Sequence, residues 1–85
     1  MKNYKILFID DDREMLSIVD QYLARCGFSV TTETSGLRDI EMIRTDHFSV
    51  VFSDLIMPDI GGMELLKKIK DLSPDTEVII VSGYG

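Results

Sequence analysis

The sequence predicts an α/β fold: a parallel, doubly wound sheet of order βαβαβαβ. Three observations carry this. Four short apolar runs recur along the chain, three longer stretches between them carry apolar residues at helical spacing, and Gly, Pro, Ser or Asp marks the joins. Strands that alternate with helical patterns imply parallel pairing through right-handed crossovers, with helices on both faces of the sheet. At 85 residues the chain is expected to form one domain. A chain of that size buries only roughly 60% of its unfolded surface, so its core is near the practical minimum.

Each element has its own signal. Ile6-Leu7-Phe8-Ile9 is a continuous apolar run, the pattern of a strand covered on both faces, and Asp10-Asp11-Asp12 ends it. Met15, Leu16, Val19, Tyr22, Leu23 and Cys26 then recur at helical spacing. Asp12 is placed to cap that helix and Gly27 to close it. Phe28, Val30 and Thr32 alternate with Ser29 and Thr31, which suggests a less buried, edge-like strand. Ser35-Gly36 marks a loop, and Leu37, Ile40, Ile43 and Arg44 suit a shorter second helix.

Val50-Val51-Phe52 is a second buried strand, with Asp54 just past its end. Pro58 and Gly61-Gly62 define a loop. Met63, Leu66, Ile69 and Leu72 mark a third helix, with Lys67, Lys68 and Lys70 on its wet side, and Ser73-Pro74-Asp75 stops it. Val78-Ile79-Ile80-Val81 is the fourth strand, followed by Ser82-Gly83-Tyr84-Gly85.

Composition narrows the function. Hydrophobic residues make up 45% of the chain, which excludes a disordered acidic tail. Net charge is −6, which disfavours non-specific nucleic-acid binding, because that depends on Lys and Arg neutralising phosphates. The single cysteine, Cys26, forms no internal disulfide and reads as a small buried hydrophobe on the apolar stripe of the first helix. The apolar run near the N-terminus is too short for a signal peptide core or a membrane span, so the chain is expected to be soluble and cytoplasmic.

The chemistry lies at the strand ends. In a doubly wound sheet, ligands bind at the carboxyl ends of the strands near the topological switch point. Asp10, Asp11 and Asp12 follow the first strand and Asp54 follows the third, so neighbouring strands deliver carboxylates to one crevice. Clustered carboxylates repel, and a hard divalent cation with oxygen ligands relieves them; Mg²⁺ suits one or two carboxylates, several waters and a phosphate. A carboxylate beside Mg²⁺ can attack phosphorus and form an acyl phosphate. Ser82, at the end of the fourth strand, is placed to donate a hydrogen bond to such a phosphate. His47, the only histidine, sits in a polar loop away from this edge, and the methionines read as packing residues.

These motifs resemble those of response-regulator receiver domains. Ile6 to Asp12 is similar to the family's first strand and acidic motif, Ser53 to Leu66 to its phospho-acceptor motif, and Val78 to Gly85 to its fourth strand and the hydroxyl residue at its end. The resemblance implies a flavodoxin-like (CheY-like) sheet and a two-component phosphorelay. Asp54 would take a phosphoryl group from a phosphohistidine on a sensor histidine kinase or phosphotransfer protein. Mg²⁺ would be held by Asp10, Asp11, Asp54 and the backbone carbonyl of Ile56, and Ser82 would move toward the phosphate as the switch. Such a module catalyses its own phosphorylation and is not a turnover enzyme.

The family pattern continues through a fourth helix, a fifth strand ending in a phosphate-contacting lysine, and a fifth helix. Residues 1–85 are therefore expected to be the N-terminal two-thirds of a receiver domain. Val78 to Val81 would then form an apolar edge, through which the chain is expected to self-associate. Two other readings compete. Asp10-Asp11-Asp12 is also similar to the Asp-x-Asp pattern of haloacid-dehalogenase-like phosphatases, although Arg13-Glu14 is a poor match to the Gly/Ser-Thr usual next in that pattern. The second is a receiver-like interaction module that is never phosphorylated.

Overall fold

The computed structural model describes residues 4–54 and 59–81. The element order is β1 (Lys5–Ile9), α1 (Arg13–Arg25), β2 (Ser29–Glu33), α2 (Gly36–Thr45), β3 (Val50–Asp54), α3 (Gly62–Leu72) and β4 (Glu77–Val81). The four strands form one sheet in the order β2-β1-β3-β4, and every pairing is parallel. The expected βαβαβαβ architecture is therefore present. Asp54 is the last residue of β3 itself, paired with Val81 of β4, where the sequence placed it just beyond the strand.

The core lies on one face of the sheet. Leu7, Ile9 and Val51 point from β1 and β3 into a cluster with Ile40 and Ile43 of α2 and Leu65 and Ile69 of α3. Strand residues alternate between faces, so Ile6, also buried, points the other way. The chain steps outward from β1 to β2 and back across β1 to β3, and right-handed crossovers then put α1 on the face opposite α2 and α3. Phe8 and Phe52 stack on that second face, with ring centroids 5.1 Å apart, and Ile79 neighbours Phe52 in register. Ile79 is exposed on β4, which is the edge of the described sheet.

The helix ends follow the expected chemistry. The Asp12 side chain caps α1 by accepting from the Glu14 and Met15 amides. Gly27 follows α1 with a φ of 93°, a left-handed conformation that a side chain would strain. Below the core, Thr76 is fully buried and paired. Its hydroxyl donates to the Phe48 carbonyl at 2.8 Å and lies 2.6 Å from Ser73 Oγ.

Several side-chain assignments need correction. Cys26 is exposed and caps the C-terminus of α1, because α1 rests on the sheet mainly through Leu16. On the same stripe Val19 and Leu23 are half-buried, while Met15 and Tyr22 are exposed. In α3 the buried line is Leu65–Ile69; Leu66 is half-buried, and Met63 and Leu72 face outward. Leu37 of α2 is exposed, whereas Asp39 is buried beside Ile40 and Ile43. Lys70 is half-buried, and its ammonium donates to the carbonyls of Pro74 and Thr76 in the turn between α3 and β4. His47 is a surface residue whose Nε2 lies 3.3 Å from Asp75.

Candidate acidic metal site

The carboxyl ends of β1 and β3 are adjacent because Ile9 pairs with Ser53 in the parallel ladder. The next residue on each chain is an aspartate. Carboxylate oxygens of Asp10, Asp11 and Asp54 all lie within 4.8 Å of one another. Three of the predicted site residues are thus brought together. Ile56 and Ser82 lie outside the described residues; Ser82 follows Val81, the β4 partner of Asp54.

The three consecutive aspartates do three different things. The Asp10 amide donates to the Glu33 carbonyl at 3.1 Å, which carries the β1–β2 ladder one residue past the strand. The Asp10 carboxylate accepts from the Asp12 amide at 3.0 Å and is partly buried. Asp11 is exposed with its carboxylate turned toward Asp10 and Asp54, and Asp12 caps α1. Burial raises the pKa of the Asp10 carboxyl above its ordinary value, and repulsion from Asp54 and Asp11 adds to this, against the Asp12 hydrogen bond.

This donor set fits Mg²⁺. Three hard carboxylate oxygens sit close together, two of them half-sheltered, with one edge open to water. A hard divalent cation favours such oxygen donors, and the open edge would leave room for the waters and phosphate that Mg²⁺ also binds. Asp10, Asp11 and Asp54 would hold the ion.

Two further aspartates escaped the sequence reading. Asp59, five residues after Asp54, reaches across to the N-terminus of α2. Its carboxylate accepts from the Ser35 hydroxyl at 2.6 Å and from the amides of Leu37 at 3.1 Å and Gly36 at 3.3 Å. These bonds, the Ser35 hydroxyl foremost, hold its carboxyl below the usual range. Gly36 is buried there, and a Cβ on it would collide with the Ile60 side chain. Asp39 is fully buried, and among the described residues neither of its carboxylate oxygens has a hydrogen-bond partner. Burial, with Glu33 nearby, pushes its carboxyl up to about 7.

Fold and site together define a flavodoxin-like α/β module with a metal-competent acidic edge. Residues 6–85 match the response regulator receiver domain family, and the chain belongs to that family. It is 35% identical, over 94% of its length, to the C4-dicarboxylate transport transcriptional regulatory protein DctD of Rhizobium meliloti (strain 1021), of which it spans 17%. It is 28% identical to the response regulator receiver protein CpdR of Brucella abortus (strain 2308), a match that covers 95% of this chain and 68% of that protein. The crystal structure of a CheY-like receiver domain protein from Methanospirillum hungatei JF-1 superimposes with a TM-score of 0.94 at 31% identity, covering 99% of this chain and 67% of the other. Among the described residues no helix is long and apolar enough to cross a membrane.

Proposed function

We propose that Asp54 is the phosphoryl acceptor of this receiver domain, and that Asp10, Asp11 and Asp54 hold the Mg²⁺ the transfer requires. The observation that carries this reading is the meeting of carboxylate oxygens from two adjacent strand ends within 4.8 Å. Bound there, Mg²⁺ would offset the repulsion between the Asp54 carboxylate and the incoming phosphoryl oxygens. The donor is a phosphohistidine on a sensor histidine kinase or phosphotransfer protein. An Asp54 carboxylate oxygen forms the new P–O bond, the P–N bond to the imidazole breaks, and the imidazole leaves with the bonding pair and takes up a proton. The sheet holds Asp54 through its pairing with Val81, so the acceptor is presented at a fixed strand end.

Ser82 and the Ile56 carbonyl complete the proposed site, the first as a hydrogen-bond donor to the phosphate and the second as a metal ligand. The module works as a switch with no substrate to turn over, and it works in the cytoplasm, where kinase and donor meet it. The likeness to DctD supports an output in transcription. The apolar Ile79 on the β4 edge supports self-association of the 85-residue chain, which sedimentation over a concentration series would show. The site itself is tested by Mg²⁺ titration followed by amide resonances. Saturable shifts centred on Asp10, Asp11 and Asp54 are expected, and shifts spread evenly over the acidic surface would contradict the assignment.

A further inference from the structure

The five backbone amides from Thr34 to Arg38 are all taken by side-chain acceptors. Glu33 accepts from Thr34 and Ser35, Asp59 from Gly36 and Leu37, and the Ser35 hydroxyl from Arg38. Glu33 and Ser35 are local, and such bonds are ordinary where a strand turns into a helix. Asp59 is not local. It is 22 to 24 residues away in sequence from the groups it binds and only five from Asp54. Its charge also suits the positive end of the α2 dipole.

Asp54 and Asp59, five residues apart in sequence, are therefore each anchored. Asp54 is held in the sheet between β1 and β4. The Asp59 carboxylate is clamped on α2, and Ile60 packs directly against Gly36. We infer that Asp59 is a positioning residue: by tying the chain that follows the acceptor to the α2 N-terminus, it couples occupancy of the acidic site to that helix end. The inference rests on the proposed function, because it assumes that the acidic site takes Mg²⁺. Coupling of this kind is reciprocal. Mg²⁺ protects the α2 amides to the extent that the Asp59 clamp strengthens Mg²⁺ binding.

The test uses the full chain with Asp59→Ala, Asp59→Asn and the control Ile43→Val, which loosens the same helix in the core without touching the clamp. Two quantities are read: the Mg²⁺ dissociation constant, and hydrogen exchange of the Gly36 and Leu37 amides with and without Mg²⁺. In the wild type, Mg²⁺ slows exchange at both amides. Asp59→Ala speeds their exchange without metal, abolishes the Mg²⁺ effect on them, and weakens Mg²⁺ binding by about tenfold, the range seen when an outer-shell support is removed. Asp59→Asn, which keeps an acceptor oxygen without the charge, gives an intermediate loss and carries the test alone if the alanine variant does not fold. Ile43→Val speeds exchange but leaves the Mg²⁺ constant unchanged.

An Asp59 variant with wild-type Mg²⁺ affinity, or an Ile43→Val chain that loses affinity equally, overturns the inference. So does a Mg²⁺ effect at Gly36 and Leu37 that survives loss of Asp59. If the wild type binds no Mg²⁺, the proposed function itself fails, and that result is distinct from all of these.

Discussion

The protein places carboxyl groups under stress in two regions and relieves them in two different ways. At the carboxyl ends of β1 and β3, Asp10, Asp11 and Asp54 crowd together but stay near water. Under α2, Asp39 is fully buried beside the like charge of Glu33 and, among the described residues, has no hydrogen-bond partner on either oxygen. A cation can enter the first region and cannot reach the second, so the relief available to Asp39 is a proton. Both carboxyls with a raised pKa, Asp10 and Asp39, owe it first to burial. Their surroundings differ: charged neighbours close enough to share an ion lie around Asp10, whereas Asp39 sits on the buried face of α2 with Glu33 as its charged neighbour. A strained carboxylate is thus a binding site only where geometry gives it companions and an opening.

The largest expected effect separates the two regions by metal. Mg²⁺ at a hundred times its dissociation constant should stabilise the wild type by about 2.7 kcal/mol. Asp11→Asn should lose nearly all of this while making the metal-free chain slightly more stable, because one repelling charge is gone. Thermal unfolding with and without Mg²⁺ measures both. An Asp11→Asn chain still stabilised by Mg²⁺ would break the comparison at the first region.

The second effect separates them by proton. The folded-state pKa of Asp39 lies near 7, above the ordinary 3.8, so the folded chain binds this proton more tightly than the unfolded chain. The resulting stability is fully present below about 3.8 and is lost as pH rises toward 7. Asp39→Ala should therefore be more stable than the wild type at pH 8, by roughly 1–3 kcal/mol, because an unpaired buried charge is removed. At pH 4 the gain should vanish or reverse, since the native carboxyl is then neutral and the substitution only leaves space. Denaturant unfolding at the two pH values checks the sign. The same gain at both would show that ionisation of Asp39 is not the cause.

A third effect contrasts a buried polar group that has partners. Thr76 is as buried as Asp39, but its hydroxyl bonds to the Phe48 carbonyl and Ser73. Thr76→Val should cost about 1–2 kcal/mol at every pH, because it strands the Phe48 carbonyl. The smallest effect concerns Asp10. Its raised pKa makes Mg²⁺ compete with a proton, so Mg²⁺ affinity should fall on acidification, starting above the ordinary carboxylate range. Asp10→Asn should bind weakly and lose that slope, as calorimetric titration at several pH values would show.

How much of the fold and site was legible in the sequence depended on whether a signal was local. The buried strands announced themselves as unbroken apolar runs, and the Asp12 cap by its place before a helical pattern. The edge character of β2 showed in its polar alternation. The meeting of the aspartates after β1 with Asp54 came from topology, because parallel strands bring their carboxyl ends to one edge, and the family resemblance singled out Asp10 and Asp11 among them. The stripe of α1 misled, since apolar spacing says which face could be buried but not how much of it is covered. Leu16 is buried while Tyr22 on the same stripe is 66% exposed.

Asp39 was missed because its type argues for the surface. Its place four residues before Ile43 put it on the buried face of α2, and that spacing was the available signal. Asp59 left no such signal. Its partners lie on another element, and only the folded chain brings them within reach.

The central claim is that Asp54 accepts phosphate at a site built with Asp10 and Asp11. The most direct test is the intact mass of the protein after incubation with Mg²⁺ and acetyl phosphate, with Asp54→Asn treated in parallel. A single phosphoryl adduct that requires Mg²⁺ and is absent from Asp54→Asn is the expected result; an adduct of equal yield on Asp54→Asn, or formed equally well without Mg²⁺, would contradict it.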